Sequence, residues 1–178
     1  MKKTSKKTQK DQKKTIDRNK PIKLDKIDKK ILNLLQKNNQ LTNLELAALV
    51  NISPPPCLRR VRRLRELGII VQDVSLVDPF KINQNLIVAI HVSLEKQSEE
   101  LLAHFEQKMQ EYPEIKQCYF ISGEVDYLLM VHVADIVAYD EFIRRVLVNY
   151  QNVKCFKSSF CLTRIKLDTS ILLDENCD

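Results

Sequence analysis

The sequence predicts an α+β chain of two small domains: an all-helical N-terminal part, then a part in which strands and helices alternate. Three observations carry this. From Leu24 to Leu67 apolar residues recur at helical spacing, with capping and stop signals between the runs. From Leu86 the period changes to two, and strand-like and helix-like stretches alternate as far as Ile165. The charge divides near the same place. Residues 1–20 hold nine basic and two acidic side chains, residues 21–75 ten and five, and residues 76–178 ten and sixteen, giving +7, +5 and −6 within a net +6. A positive field confined to one half suits that half to a polyanion; a charge serving only solubility would not divide so.

Residues 1–20 are Lys, Thr, Gln and Asp with one aliphatic, Ile16, after Met1. They cannot bury enough apolar surface to offset chain entropy, so a disordered basic tail is expected, either merely solvated or a non-specific arm for a polyanion. Residues 21–70 form the helical domain. Its first helix spans residues 24–38, with Leu24, Ile27, Ile31, Leu34 and Leu35 at helical spacing. A second runs over residues 42–50, with Thr42 and Glu45 placed as a capping box and Leu41, Leu44, Ala47 and Ala48 supplying apolar contacts. Only Asn51, Ile52 and Ser53 separate it from a third helix, read over residues 56–67.

That third helix has two opposed faces. Cys57, Val61 and Leu64 stack at i, i+4 and i+7, while Arg59, Arg62 and Arg63 point the other way and Arg60 and Arg65 flank the apolar stripe. Five arginines in seven residues repel one another in isolation, and a polyanion along that face turns the repulsion into attraction. Gly68 supplies the left-handed stop. Pro54, Pro55 and Pro56 offer no N–H to a Ser53 cap, and residues before proline disfavour the α region, so the helix proper is expected to start at Pro56 with Pro54 and Pro55 extended. Helix, short turn, basic helix is the form of a helix-turn-helix, winged or plain, whose second helix enters the major groove of duplex DNA.

Residues 71–85 read as a wing-like strand (residues 69–77) running into a linker, broken at Asp78-Pro79. Residues 86–166 follow in the order β-α-β-β-α-β. The first strand alternates Leu86, Val88, Ile90, Val92 and Leu94 with Ile87, Ala89, His91 and Ser93. Ser98 opens a helix whose Leu101, Leu102, Phe105 and Met109 face inward. Strands over residues 115–122 and 127–133 flank a turn at Gly123, where a positive φ is needed. Asp135 caps a second helix with Ala138, Tyr139, Phe142, Val146 and Leu147 inward, and residues 153–165 form the last strand. This order is a ferredoxin-like split sandwich. Residues 167–178 read as a loose or partner-docked tail.

Several classes are set aside. No apolar run approaches the roughly 18 residues of a membrane span, and the charged N-terminus lacks the apolar stretch of a secretory signal. Five scattered cysteines (57, 118, 155, 161 and 177) without a Cys-x-x-Cys pair point to reduced thiols in a cytoplasmic protein, not to a disulfide framework or zinc finger. His91, His104 and His132 share no ligand spacing with them, and His91 and His132 read as structural strand residues. No nucleophile–base pair or phosphate-binding Gly loop is present, so neither an enzyme nor a cofactor or metal site is expected.

The segments Leu24-Asp25-Lys26-Ile27-Asp28-Lys29-Lys30-Ile31-Leu32, Ser53-Pro54-Pro55-Pro56-Cys57-Leu58 and Arg60-Val61-Arg62-Arg63-Leu64 resemble the Lrp/AsnC (feast/famine) transcriptional regulators. The turn Ser122-Gly123-Glu124-Val125-Asp126-Tyr127-Leu128-Leu129 is similar to that of the leucine-responsive branch. The resemblance implies a regulator, cytoplasmic and nucleoid-associated, that binds double-stranded DNA. It also implies assembly into homodimers and octamers, a hinge strand pairing between subunits, and modulation by an amino acid or related small effector.

Arg59 and Arg63 are the candidates for base edges, and Arg60 and Arg62 for phosphates. Ser53 and Pro55 stand at the start of the same helix; close relatives have a hydroxyl where Pro55 sits, which shifts the expected operator preference. Thr42 and Asn43 touch the DNA backbone or serve as plain caps. Ser122, Gly123 and Asp126 match the family's effector turn at the dimer–dimer interface, with Asp126 for an α-ammonium and turn N–H groups for a carboxylate; the same residues also suit a purely structural turn. Ile136, Ser159 and Cys161 are carried over from the leucine-responsive branch although their residue types differ, and Cys161 also suits a buried strand position. Two other classes stand beside this reading. An architectural, nucleoid-type DNA protein without effector response would use the basic tail. Sirohaem decarboxylases resemble the family in architecture but have no use for a five-arginine helix.

Overall fold

The structure, a computed structural model, describes residues 22–176. The basic tail lies outside them. The chain divides into two compact units. Among the described residues, one comprises residues 22–75 together with 168–176; the other is Leu76–Leu167.

The first unit holds α1 (Lys26–Lys37), α2 (Asn43–Leu49) and α3 (Pro54–Glu66). Asp25 caps α1 in a capping box with Asp28, and Thr42 caps α2 in one with Glu45. Ile31, Leu32, Leu46, Ala47, Val50, Cys57, Val61 and Leu64 form the core. In α2 the inward residues are Leu46, Ala47 and Val50, whereas Leu44 and Ala48, expected inside, are exposed. The helix is short, so a shift of phase by one position exchanges its faces.

The turn between α2 and α3 is closed by Asn51 at φ 57°. Ile52 N–H donates to Ala47 O (3.0 Å) and Asn51 N–H to Ala48 O (3.2 Å), the Schellman pattern. Gly68 (φ 70°) ends α3 in the same way, with Ile69 N–H on Leu64 O at 3.0 Å. The start of α3 corrects the sequence expectation: it begins at Pro54, not Pro56. A helix's first N–H groups have no intrahelical partner, so three prolines there forfeit no bond, and their fixed φ is already helical. Ser53 is the N-cap and, having no N–H to accept from, makes no side-chain cap bond.

No strand forms over residues 69–77. Val71 is 85% exposed, and Val74, Leu76 and Val77 are exposed with it. A lone β-branched segment has no ladder partner within one chain.

The second unit opens with a 3₁₀ turn, Pro79–Ile82, capped by Asp78. There follow β1 (Leu86–Leu94), α4 (Glu99–Met109), β2 (Ile115–Phe120), β3 (Tyr127–Val133), α5 (Ile136–Ile143, running on as a π turn, Arg144–Val148) and β4 (Val153–Phe160). The strands form one antiparallel sheet in the order β2-β3-β1-β4, the ferredoxin-like arrangement. Val88, Ile90, Val92 and Leu94 of β1 and Tyr127, Leu129, Val131 and Val133 of β3 join Phe105, Met109, Tyr139, Phe142, Val146 and Leu147 in one core. The opposite sheet face carries Ala89, His91, Leu128 and Met130, which are only partly buried. β4 ends at Phe160, earlier than expected, because its neighbour β1 begins at Leu86; the last bond is Cys161 N–H to Ile87 O, at 2.9 Å. Of the C-terminal tail, the described residues 168–176 group with the helical unit.

Candidate nucleic-acid interface and ligand turn

The helix-turn-helix fixes which side of α3 faces outward. Cys57, Val61 and Leu64 are buried, so Arg59, Arg62, Arg63 and Arg65 are exposed and Arg60 is intermediate. The five arginines are not equivalent. Asp28, on α1, has a side chain only 1% exposed, and its carboxylate meets two of them. Arg60 Nη1 donates to Asp28 Oδ1 at 2.8 Å and to Asp25 Oδ2 at 2.6 Å. Arg63 Nη2 donates to Asp28 Oδ2 in a short ion pair. Against the desolvation that would raise it, the Asp28 N–H and the Arg60 guanidinium hold the Asp25 carboxyl below its usual range. Arg60 is raised in turn, its two carboxylate partners outweighing desolvation.

Arg60, expected on phosphates, is therefore an internal bridge between α1 and α3. Arg63, expected on base edges, has one guanidinium nitrogen tied to Asp28 and a side chain still 45% exposed. Arg65 pairs with Asp73 at 2.9 Å. Arg59 and Arg62 have no partner among the described residues.

Asn43 Nδ2 donates to Pro54 O at 2.9 Å, so its side chain holds the first turns of α2 and α3 together, while its Oδ1 is buried without a partner. The Thr42 hydroxyl is occupied by Glu45, accepting from its N–H at 3.3 Å and donating to its carboxylate at 2.7 Å. Ser53 and Pro55 are exposed at the entry to α3.

In the second unit the β2–β3 turn carries Ser122 and Gly123, both exposed, with Gly123 at φ +135°. Asp126 organises this turn. Its Oδ2 accepts from Leu94 N–H (2.7 Å), its Oδ1 from Gln97 Nε2 (2.6 Å), and its own N–H donates to Val92 O (2.9 Å). An α-ammonium group would have to share oxygens already engaged.

Ile136 and Ser159 are exposed, as is Cys161, which lies just past β4 and not in a buried strand position. The register separates the candidates into two groups. Ser122, Gly123 and Asp126 lie beyond the Tyr127 end of β3, while Ile136 follows its Val133 end and Cys161 N–H meets Ile87 O near that end; Ser159 pairs with Ala89, level with Met130 at mid-strand, and falls between them. At about 3.4 Å per residue the turn and the Ile136 end are roughly 20 Å apart, with Ser159 about halfway, so one chain does not bring the turn and Ile136 to one small ligand.

Residues 24–71 match the model of a winged helix-turn-helix DNA-binding domain, and residues 87–171 that of the Lrp/AsnC ligand binding domain. The DNA-binding transcriptional activator DecR of Escherichia coli K12 is 37% identical over 151 residues, covering 85% of this chain and 99% of the relative. The chain belongs to the Lrp/AsnC family of transcriptional regulators. The leucine-responsive regulatory protein of Escherichia coli K12 is 33% identical over 150 residues, 84% of this chain and 92% of that one. A transcriptional regulator of Neisseria meningitidis, solved as its L-Met complex, aligns with TM-score 0.79 and 38% identity over 86% of this chain and 98% of its own.

Within this Lrp/AsnC chain, sequence reasoning missed Asp25 and Asp28 as partners of the recognition helix. The available signal was the acidic i, i+3 pair opening α1 opposite an arginine-rich helix, but that spacing also suits a capping box alone, and Asp25 and Asp28 serve as both. Among the described residues no helix is long and apolar enough to cross a membrane.

Proposed function

We propose that the protein is a sequence-specific, homo-oligomeric regulator whose binding to duplex DNA is modulated by an amino acid. The observation that carries this is the outward face of α3, where Arg59 and Arg62 have no partner among the described residues, on a helix fixed at both ends. Arg63 extends that face while anchored to Asp28, and Ser53 and Pro55 flank it at the entry. Base-edge reading falls to Arg59 and Arg63, and phosphate contact to Arg62. Thr42 and Asn43 act mainly by setting the angle between α2 and α3. Such a regulator works in the cytoplasm, on the nucleoid.

The effector reading rests on the Ser122–Asp126 turn and on the methionine complex of the Neisseria relative. We assign ligand-carboxylate recognition to the turn's backbone N–H groups and turn-holding to Asp126. Because Ile136 and Cys161 lie toward the other end of the sheet, with Ser159 at mid-strand, a site using both the turn and Ile136 draws on more than one copy. A second copy also suits the partly buried sheet face around Ala89, His91, Leu128 and Met130, and the unpaired residues 71–77. An effector that favours one assembly over another shifts DNA affinity by that difference and no more. Dimers and octamers are the expected assemblies.

The test is operator selection from random duplex DNA by the full chain at fixed physiological salt, with and without methionine, leucine or a mixture of the other amino acids. Enrichment of a pseudo-palindrome whose affinity changes with an amino acid is the expected result. Tight binding without enrichment or amino-acid response would instead mark an architectural DNA protein, the reading that the basic residues 1–20 favour.

A further inference from the structure

The chain passes between its two compact units twice, once after Ser75 and again after Leu167. The second passage ends in a built contact within the DNA-binding unit. Asn33 and Gln36, at i and i+3 on one face of α1, each clasp the backbone of one residue of the C-terminal segment. Asn33 Nδ2 donates to Leu173 O at 2.8 Å, and Leu173 N–H donates back to Asn33 Oδ1 at 3.1 Å. Gln36 Nε2 donates to Ile171 O at 2.9 Å, and Ile171 N–H donates back to Gln36 Oε1 at 2.7 Å. Residues 171 and 173 alternate along the segment, so the two carboxamides do for it what a neighbouring strand does in a sheet. The Leu173 side chain packs on the three-helix core, and Asn33 Nδ2 also reaches Glu175 Oε1 at 3.1 Å.

Four backbone bonds and one partly buried leucine packed on the core are more than a loose end acquires by chance contact. They read the backbone in one register and insert one apolar anchor, which is how an extended peptide is recognised. We infer that the Asn33–Gln36 face of α1 is a docking surface for the chain's own residues 168–175, making the C-terminal segment a second tether for the DNA-binding unit. The first tether, residues 71–78, is exposed and without regular structure; Asp73 and Val74 are bonded back to Arg65 and Asn39 of the helical unit, so freedom to reorient is left to the residues after Val74. A second fixes the unit at two points. The distribution of separations between linked helix-turn-helix units narrows, and the effective concentration at a correctly spaced second half-site rises. The tether also starts from β4, so the end of the ligand-binding sheet is joined to α1 by the residues after Phe160.

This inference rests on the reading that linked copies bind paired half-sites, and its test separates the two. Two full-length-based variants are compared with the parent: the double substitution Asn33→Ala/Gln36→Ala, which keeps Leu173, and a chain ending at residue 167. Hydrogen exchange followed by mass spectrometry reads docking without DNA. Peptides covering residues 168–175 should be protected in the parent and exchange at free-chain rates in the double variant. Fluorescence anisotropy at fixed salt then reads affinity for duplexes with one or two half-sites. We expect unchanged single-site affinity, about tenfold weaker two-site affinity, and a broader tolerance of spacing in both variants. Free-chain exchange of residues 168–175 in the parent overturns the docking. Equal two-site affinity in parent and double variant, or a loss of the same size on one half-site, overturns the tether. A parent that selects no duplex defeats the regulatory reading, while the exchange data still decide the docking.

Discussion

Asp28→Ala should unfold the DNA-binding unit well before it affects the other unit. The carboxylate is buried, 1% exposed, and serves Arg60 and Arg63 together. Removing one partner of a fully buried ion pair costs about 3–5 kcal/mol, because the remaining charge is left dry. Here the freed guanidinium groups regain water, since the Arg60 and Arg63 side chains are already 28% and 45% exposed, which lowers the expected loss to about 2–3 kcal/mol. The cap adds little. Asp28 N–H still donates to Asp25 Oδ1 at 2.8 Å in the variant, and the lost reverse contact is long, at 3.4 Å. At roughly 4–8 °C per kcal/mol for a domain of this size, the helical transition should fall by about 10–20 °C. Calorimetry of the full chain, with ellipticity at 222 nm to identify the helical unit, measures it. A double-mutant cycle with Arg60→Ala and Arg63→Ala apportions it, and coupling of about 1 kcal/mol or more is expected with each arginine. A shift below about 2 °C, or simple additivity in both cycles, would refute the reasoning.

Three further outcomes follow from other parts of the molecule. Arg62→Ala should reduce the slope of log affinity against log salt by about 1, Arg59→Ala should relax sequence preference at one base position with the slope little changed, and Arg60→Ala should leave the slope unchanged and lower thermal stability; titrations at four salt concentrations, on preferred and mismatched duplexes, separate the three behaviours. Burial first, then Lys116 and Arg164, push the His132 imidazole below its ordinary value of 6.5, so the native state binds fewer protons than the unfolded chain just below that pH. The stability supplied by neutral His132 is present in full above about pH 6.5 and lost as pH falls through the lowered native value; His132→Gln should flatten urea-derived stability between pH 7.5 and 5.5, and an unchanged slope counts against it. Gly123→Ala meets no atom within 4 Å, yet φ +135° strains any side chain, so a loss of about 1–3 kcal/mol is expected in denaturant melts of the ligand-binding unit.

Much of this was legible because it depends on local chemistry. Thr42 with Glu45, Ser98, Asp135 and Gly68 mark element ends by their own side chains, and all four cap or stop where the pattern placed them. The alternation of β1 likewise follows from one face being covered. The misreadings are of two kinds. In the proline triplet two local rules competed, and the tolerance of a helix's first turn for missing N–H groups prevailed over the pre-proline preference. Elsewhere the partner is remote. Asp28 meets Arg60 from 32 residues away, Asn33 meets Leu173 from 140, and Asp126 meets Gln97 from 29. Nothing in the spacing of either partner announces such pairs. A candidate such as Asp126 or Arg60 therefore reads as a free charge in the sequence and proves to be an internal bond in the fold.

That difference matters for how the protein would hold DNA. Five arginines on one helix suggest a strong electrostatic grip, yet three of them carry carboxylate partners and, among the described residues, only Arg59 and Arg62 stand unpartnered. At about 0.9 per phosphate contact, the one phosphate contact assigned to α3, that of Arg62, gives a salt slope of roughly −1, which is a weak hold at physiological salt. The unit gains definition instead. Arg60 and Arg63 lock α3 onto α1 through Asp28, so the helix enters the groove in one orientation rather than as a flexible cationic rod. A module that exchanges charge for rigidity must recover affinity by linkage, where a second half-site is met at millimolar effective concentration and avidity grows by two to four orders of magnitude. On the proposed function, oligomerisation through the ligand-binding unit would be a requirement of the DNA-binding chemistry itself, and an effector that altered assembly would gain direct control over operator occupancy.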